Sequence, residues 1–169
     1  MTTDMENHIS IQIRKAQGPE EISQCAGMMA SSEPWITLRR DYEESLNTLT
    51  DSSKEVYVGL LKEKVAGFII LHMKGPFAGY IQSVCAAPEW RHRGIGNQLI
   101  AFAEKRIFNE SPNVFVCVSS FNKNAQRLYQ RLGYEVVGEL RDYIVRGHSE
   151  ILLRKSRGPL TEFEKSKWT

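Results

Sequence analysis

Cysteine and long apolar segments are scarce in this chain of 169 residues, and their scarcity excludes several classes of protein. No apolar run approaches the ~18–20 residues of a membrane-spanning helix. The three cysteines, Cys25, Cys85 and Cys117, are too few for a disulfide framework, and an odd number cannot all pair. We therefore expect reduced thiols and a cytoplasmic protein. The polar, acidic residues 1–8 predict no signal peptide. No His or Cys pair has the spacing of zinc ligands, and we expect no metal.

Charge of one sign is also lacking. The 22 Lys and Arg residues nearly balance the 20 Asp and Glu residues, which gives a formal net charge of +2. Such a chain has no overall field with which to hold nucleic acid or an anionic membrane, so we expect neither partner. A local basic patch stays compatible with this balance.

Hydrophobic periodicity alternates between that of strands and that of helices. Strands are expected at residues 9–13, 55–61, 65–73, 80–86, 114–118, 134–137 and 150–153. Helices are expected at residues 19–29, 38–49, 94–109 and 122–132. Strand–helix–strand units beside hairpins predict one α/β domain, residues 1–155, with a mixed sheet and helices on both faces.

The C-terminal tail, residues 156–169, has no clear pattern. It is basic, with Leu160, Phe163 and Trp168 interspersed. Two interpretations stay open: a loosely held terminus, or a segment that docks on a partner subunit in a homodimer.

The most informative segment joins the strand at residues 80–86 to the helix that follows it. We call residues 91–97 the phosphate cradle; they are Arg91, His92, Arg93, Gly94, Ile95, Gly96 and Asn97. The first turn of a helix offers unpaired N–H groups to anions, glycines let the backbone approach closely, and arginines add charged donors. The segment lacks the Gly-Lys-Ser/Thr ending of a nucleotide P-loop and the third glycine of a dinucleotide fingerprint. It therefore predicts a pyrophosphate site without metal.

Two motifs in this chain resemble those of the GNAT N-acetyltransferase superfamily. One is Arg-x-x-Gly-x-Gly, starting at Arg91 after an apolar strand. The other is Asn-x-x-Ala-x-x-Leu-Tyr-x-x-x-Gly-Tyr, from Asn122 to Tyr134. The resemblance covers most of the chain and assigns no subfamily. It implies a GNAT-like fold with a central, mixed, mostly antiparallel sheet of about seven strands.

The resemblance also implies an activity and a set of site residues. Acetyl-CoA would be the co-substrate, and the acceptor a primary amine of a small molecule or of a protein N-terminus or lysine. Tyr129 would be the general acid that protonates the departing CoA thiolate. The residues implied to bind acetyl-CoA are Val84, Cys85, Ala86, the phosphate cradle and Asn122. The alternative function is a regulatory or structural module that binds CoA without turnover.

The general base is left open. Some relatives place a glutamate on the strand before the Asn-x-x-Ala helix, and Cys117 occupies the corresponding position here. Glu33, Asp142 and Glu150 are candidate substitutes. By the resemblance, the acceptor would contact residues 31–39, which include Glu33, Trp35 and Arg39, and residues 140–149, which include Arg141, Asp142, Tyr143, Arg146 and His148.

Overall fold

The computed structural model of the chain describes residues 9–164. Residues 1–8, for which we predict no signal peptide, and residues 165–169, the end of the predicted tail, lie outside the described residues. The strands are β1 (Gln12–Lys15), β2 (Glu55–Leu61), β3 (Lys64–His72), β4 (Tyr80–Ala86), β5 (Asn113–Ser119), β6 (Glu135–Leu140) and β7 (Glu150–Ser156). The helices are α1 (Gly18–Ala30), α2 (Tyr42–Thr50), α3 (Ile95–Phe108) and α4 (Lys123–Arg131), with short 3-10 turns at Pro88–Trp90 and Leu160–Glu162.

The strands form one sheet in the order β1-β2-β3-β4-β5-β7-β6. All neighbouring pairs are antiparallel except β4 and β5, which run parallel. A parallel pair needs a crossover connection, and α3 provides it between β4 and β5. The predicted fold class, a mixed and mostly antiparallel sheet with helices, is confirmed.

Each face of the sheet is covered by its own pair of helices. Cys25 and Met29 of α1 and Leu49 of α2 pack with Val58 and Phe68 on one face. A larger core on the other face joins α3 and α4 to the sheet; its buried members include Leu99, Ala103, Ile107, Tyr129, Ile69, Val114 and Val116. Burial of these apolar side chains stabilises the domain and holds the strands that build the site.

Two predicted element starts were wrong. The strand expected at residues 9–13 begins only at Gln12, because the Gln98 side chain binds the preceding backbone. Gln98 Oε1 accepts from the Ile11 N–H at 3.2 Å, and Gln98 Nε2 donates to the Ile9 carbonyl at 2.6 Å. The helix expected from residue 38 begins at Tyr42, after a capping box formed by Asp41 and Glu44.

The last strand extends one residue into the predicted tail, residues 156–169. Strand β7 extends to Ser156, and the Arg157 N–H then donates to the Pro112 carbonyl at 2.8 Å. The Arg157 guanidinium lies 3.9 Å from the ring centroid of Phe108. The first residues of the tail are thus held against the domain, and docking on a partner subunit stays a prediction. No helix within residues 9–164 combines the length and apolar character needed to cross a membrane.

Candidate active site

A gap opens in the sheet where β4 and β5 diverge. The two strands pair only through Tyr80 with Phe115 and Ile81 with Val116. The predicted residues Val84, Cys85 and Ala86 lie beyond this point and pair with β3 on their other side. Within the described part of the chain, this stretch of β4 has no strand beside it on the β5 side. Its backbone can therefore pair with an extended ligand, as an edge strand does.

A cavity of about 620 Å³ occupies this gap. Ser45 and Thr48 of α2 line it from one face of the sheet, and Ala125 and Tyr129 of α4 line it from the other. Because α2 and α4 cover opposite faces, the cavity passes through the sheet. We call the side of α1 and α2 the α2 face and the side of α3 and α4 the α4 face.

The phosphate cradle lies at the start of α3. Gly94 precedes the helix in the left-handed conformation, with φ of 81°, and no side chain caps the first turn. A Cβ added to Gly96 would meet no atom within 4 Å. The space beside Gly96 is therefore open and the first-turn N–H groups have no side-chain cap, which suits the close approach of an anion. The neighbouring His92 is exposed and also has positive φ, 60°.

The two arginines of the cradle are engaged elsewhere. Arg91 Nη2 donates to the hydroxyl of Ser32, in the loop after α1, at 2.9 Å. The Arg93 guanidinium lies 5.2 Å from the ring centroid of Trp90. Neither side chain lines the cavity, and the same holds for the other residues of the cradle, so the cradle lies outside the cavity lining.

The two predicted residues of the second motif both line the cavity. Asn122 caps α4, since its Oδ1 accepts from the Ala125 N–H at 3.2 Å. Tyr129 is 2% exposed, and its ring packs edge to face on Tyr134 with centroids 5.0 Å apart.

The Tyr129 hydroxyl is buried and has no hydrogen-bond partner among the described residues. Burial, and after it the negative charge of Glu104, raises the pKa of Tyr129. The phenol therefore stays protonated at neutral pH and can serve as a hydrogen-bond donor.

Polar side chains line the α2 face of the cavity beside the gap. Cys117 and Ser119 alternate with the core residues Val116 and Val118 along β5, so both face the α2 side. Glu150 lies opposite Ser119 on β7 and is 5% exposed. Burial raises the pKa of Glu150, against smaller opposing effects of the Ser119 hydroxyl and the charge of His148.

Of the three candidate bases, only Glu150 lines the cavity. Glu33 is exposed, and its carboxylate accepts from the Thr37 N–H at 3.1 Å and the Thr37 hydroxyl at 2.9 Å. Asp142 accepts from the Gly147 N–H at 2.6 Å within its own loop. Cys117 also lines the cavity, but burial raises the pKa of its thiol, which makes the thiolate scarce at neutral pH.

The predicted acceptor segments contribute fewer residues than expected. Trp35 and Tyr143 line the cavity, whereas Arg39, Arg141, Arg146 and His148 do not. Sequence reasoning missed several further polar lining residues, among them Arg40, Lys54, His72 and Gln82. They come from separate elements without a shared motif, so no local signal marks them.

The family of the chain follows from comparison with known sequences. The sequence model of the acetyltransferase (GNAT) family matches residues 20–134. A comparison with curated proteins finds no significant match.

Solved structures resemble the fold over most of its length. A GCN5-related N-acetyltransferase from Rhodopseudomonas palustris superposes with a TM-score of 0.71 at 21% identity, covering 88% of this chain and 97% of its own. An aminoglycoside 6'-N-acetyltransferase complexed with coenzyme A gives 0.70 at 15% identity, covering 88% and 98%. NAA60 from Arabidopsis thaliana, in complex with a bisubstrate analogue, gives 0.70 at 18% identity, covering 87% and 98%. By its family match, and in a fold shared with these enzymes, this chain belongs to the acetyltransferase (GNAT) family.

Proposed function

We propose that the protein is an N-acetyltransferase that moves the acetyl group of acetyl-CoA directly to a primary amine in a ternary complex. The amine belongs to a small molecule or to a protein or peptide. The observation that carries this proposal is the cavity through the sheet, which α2 residues line on one face and Tyr129 lines on the other. Two substrates can enter such a cavity from opposite faces and meet in the gap between β4 and β5.

Acetyl-CoA fits the residues on the α4 face. The open first turn of α3, from Gly94 to Asn97, would hold the pyrophosphate, with His92 and the two arginines at its rim. The unpaired edge at Val84, Cys85 and Ala86 would bind the pantetheine arm through the backbone, and Asn122 would contact the same arm. The structural neighbour complexed with coenzyme A supports this choice of co-substrate.

Acetyl-CoA supplies an activated acyl group, a thioester whose thiolate is the leaving group. The amine nitrogen forms a bond to the acetyl carbon, and the carbon–sulfur bond breaks. Tyr129 donates its hydroxyl proton to the sulfur, and bulk solvent or the amine replaces that proton. An ammonium substrate loses two protons in total: one neutralises the thiolate, and the other leaves to solvent.

Glu150 is the group proposed to accept the proton from the amine. Deprotonating an amine of pKa near 10.4 at pH 7 costs roughly 4–5 kcal/mol, at 1.36 kcal/mol per unit. A buried carboxylate of raised pKa is a better base than one exposed to water. Glu150 lies on the α2 face beside Cys117, so a carboxylate from the adjacent region of β7 would replace the glutamate that some relatives carry on β5.

One test distinguishes this enzyme from the alternative, a module that binds CoA without turnover. Only the thiol of Cys117, at the position where some relatives carry a glutamate, favours the module. The protein is incubated with acetyl-CoA and a panel of amines, and both thiol release and the N-acetylated product are measured. We expect thiol and product in equal amounts for at least one amine. Tight CoA binding with no N-acetylated product from any amine would establish the module instead.

A further inference from the structure

The charged side chains of the cavity are unevenly distributed. Three basic residues line it, namely Arg40, Lys54 and His72, against two acidic ones, Glu44 and Glu150. Lys54 and His72 lie beyond β4, on the far side of the gap from Glu150. His72 pairs with Tyr80 at the end of β3 and shares its face of the sheet. Glu150 thus lies at the β7 side of the cavity, whereas Lys54 and His72 form a basic end at its β3 side; Glu44 and Arg40 belong to α2 and the segment before it.

Lys54 lines the cavity, and its hydrogen-bond partner is a neutral amide side chain. Its Nζ donates to Oε1 of Gln82 on β4, and its side chain is half-buried. Among residues 9–164, neither Lys54 nor His72 forms a salt bridge. A half-buried ammonium with only an amide partner keeps hydrogen-bonding capacity for an anion.

Two acidic residues, Glu44 and Asp51, lie on nearby segments, and within residues 9–164 neither forms a salt bridge with Lys54 or His72. Glu44 is exposed, and its carboxylate accepts from the Asp41 N–H at 3.3 Å in the capping box of α2. Asp51 does not line the cavity and accepts from the N–H and hydroxyl of Ser53 at 2.9 and 2.7 Å. The Ser53 hydrogen bonds first, and then the charges of Lys54 and His72, lower the pKa of Asp51.

The separation of the two ends sets the length of the ligand. Strand β4, where Gln82 meets Lys54, is two positions from β7 in the sheet, across β5. At about 4.8 Å per paired strand, the backbones lie at least roughly 10 Å apart. The divergence of β4 and β5 widens this spacing, and the side chains shorten the distance that a ligand must span. A ligand that touches both ends must carry its two polar groups several bonds apart.

We propose that the acceptor is an amine that also carries a carboxylate, several bonds from the nitrogen, which Lys54 and His72 bind while the nitrogen faces Glu150. This inference rests on the proposed function and names its substrate class. A second ammonium group in place of the carboxylate would meet Lys54 and be repelled. An uncharged end would leave the Lys54 ammonium with only its amide partner, Gln82.

Three acceptors of matched length test the proposal: 5-aminopentanoate, pentylamine and 1,5-diaminopentane. For the wild type, we expect kcat/KM to be about tenfold or more higher for 5-aminopentanoate than for pentylamine, and lowest for the diamine. Lys54→Met should remove this preference mainly through KM, and Lys54→Glu should turn it towards the diamine. Lys64→Met, a matched loss of charge at the opposite end of β3, should retain it. Equal rates or a preference for the diamine in the wild type would overturn the proposal while leaving the acetyltransferase activity established.

A binding measurement separates the two proposals further, because it needs no turnover. Calorimetry with the CoA complex should show tighter binding of the product 5-acetamidopentanoate than of N-pentylacetamide. Equal binding of the two amides would contradict the basic end of the cavity as a carboxylate site. Tighter binding of 5-acetamidopentanoate in a protein that shows no turnover would support the carboxylate site. That result would contradict only the proposed acetyl transfer.

Discussion

Ser119 and Glu150 lie directly opposite each other on β5 and β7, and each keeps one buried oxygen, Oγ and Oε2, without a hydrogen-bond partner among the described residues. Buried polar atoms are nearly always satisfied, so an unpaired couple in a cavity indicates a place that a ligand or water completes. The couple adjoins Cys117 on the same face. In the proposed reaction this carboxylate would face the acceptor, in place of the one that β5 lacks at Cys117.

Glu150→Gln tests the proposed base. We expect kcat/KM to fall by about tenfold or more at neutral pH, the lower end of the range for general bases. In the wild type, the rate should decline as the pH falls through the raised pKa of Glu150, because the protonated carboxyl cannot accept a proton. The variant should lack this dependence and retain only that of the amine. The exposed Glu139 of β6 gives a matched control, Glu139→Gln, with an unchanged profile.

The same substitution should act on stability in the opposite direction. A carboxyl whose pKa is raised by folding stabilises the native state below its unfolded pKa, and that contribution is lost as the pH rises through the folded value. At neutral pH the ionised, partly unsatisfied Glu150 is therefore a cost to the fold. Thermal unfolding at neutral pH should show a higher Tm for Glu150→Gln than for the wild type. A lower Tm together with lost activity would indicate a structural role.

Gly96→Ala tests the phosphate cradle without disturbing the fold. The added Cβ meets no protein atom, and alanine favours a helix over glycine by about 0.5–1 kcal/mol. The methyl group instead enters the space proposed for the pyrophosphate. We expect the Kd for CoA to rise about tenfold while the Tm stays level or increases.

Gly27→Ala is the matched control for this substitution. Gly27 also lies within a helix, α1, where an added Cβ meets no atom within 4 Å, and α1 packs on the face of the sheet opposite to α3 and its cradle. The Tm of Gly27→Ala should stay level or increase, as for Gly96→Ala, while its Kd for CoA stays that of the wild type. Equal CoA affinity in both variants would mean that the phosphate cradle does not bind the pyrophosphate of CoA.

Local sequence predicts most of this fold because its elements have clear periodicity. Strand β4 was expected at residues 80–86 and occupies Tyr80–Ala86; α3 was expected at residues 94–109 and occupies Ile95–Phe108. The failures have non-local or competing causes. Gln98, far along the chain, binds the backbone before β1, and the Asp41 cap outweighs the apolar pattern that Leu38 begins.

The candidate site shows the same distinction between residues that local sequence marks and residues that only long-range contacts bring together. Motif spacing marks the cradle and Tyr129, since each belongs to one strand–helix junction or one helix face. The acceptor side depends on strand register, which sets Glu150 opposite Ser119, and on the divergence of β4 and β5. Lys54, His72 and Gln82 meet only because three separate elements converge. Hydrophobic periodicity carries no information on such long-range pairing.

A salt bridge whose residues do not line the cavity offers a test of stability. Arg106 of α3 donates to Glu55 of β2 through Nη2 at 2.7 Å and Nε at 3.0 Å, and the Tyr57 hydroxyl donates to the same carboxylate at 2.7 Å. Burial opposes ionisation of Glu55, but Arg106 and Tyr57 outweigh it and lower its pKa. Glu55→Gln should therefore destabilise the protein by about 1–2 kcal/mol at neutral pH, a value between those of exposed and buried pairs.

The pH dependence of that loss has a defined sign. A lowered pKa contributes stability above the unfolded value, and this contribution disappears as the pH falls through the folded value. Denaturant unfolding should show the wild type and Glu55→Gln converging in acid, with the kinetics of the variant unchanged at neutral pH. A constant difference at all pH values would mean that packing, not charge, is lost.

The role of Tyr129 in acetyl transfer is tested by comparing kcat for Tyr129→Phe and Tyr134→Phe with acetyl-CoA and a reactive amine. Both tyrosines are buried, both hydroxyls lack a partner among residues 9–164, and their rings are in contact, but only Tyr129 lines the cavity. Donation to the leaving thiolate predicts that Tyr129→Phe lowers kcat by about 100-fold at unchanged Kd for acetyl-CoA, while Tyr134→Phe retains wild-type kcat. Equal kcat values for the two variants would contradict the role of Tyr129 and the transfer mechanism built on it.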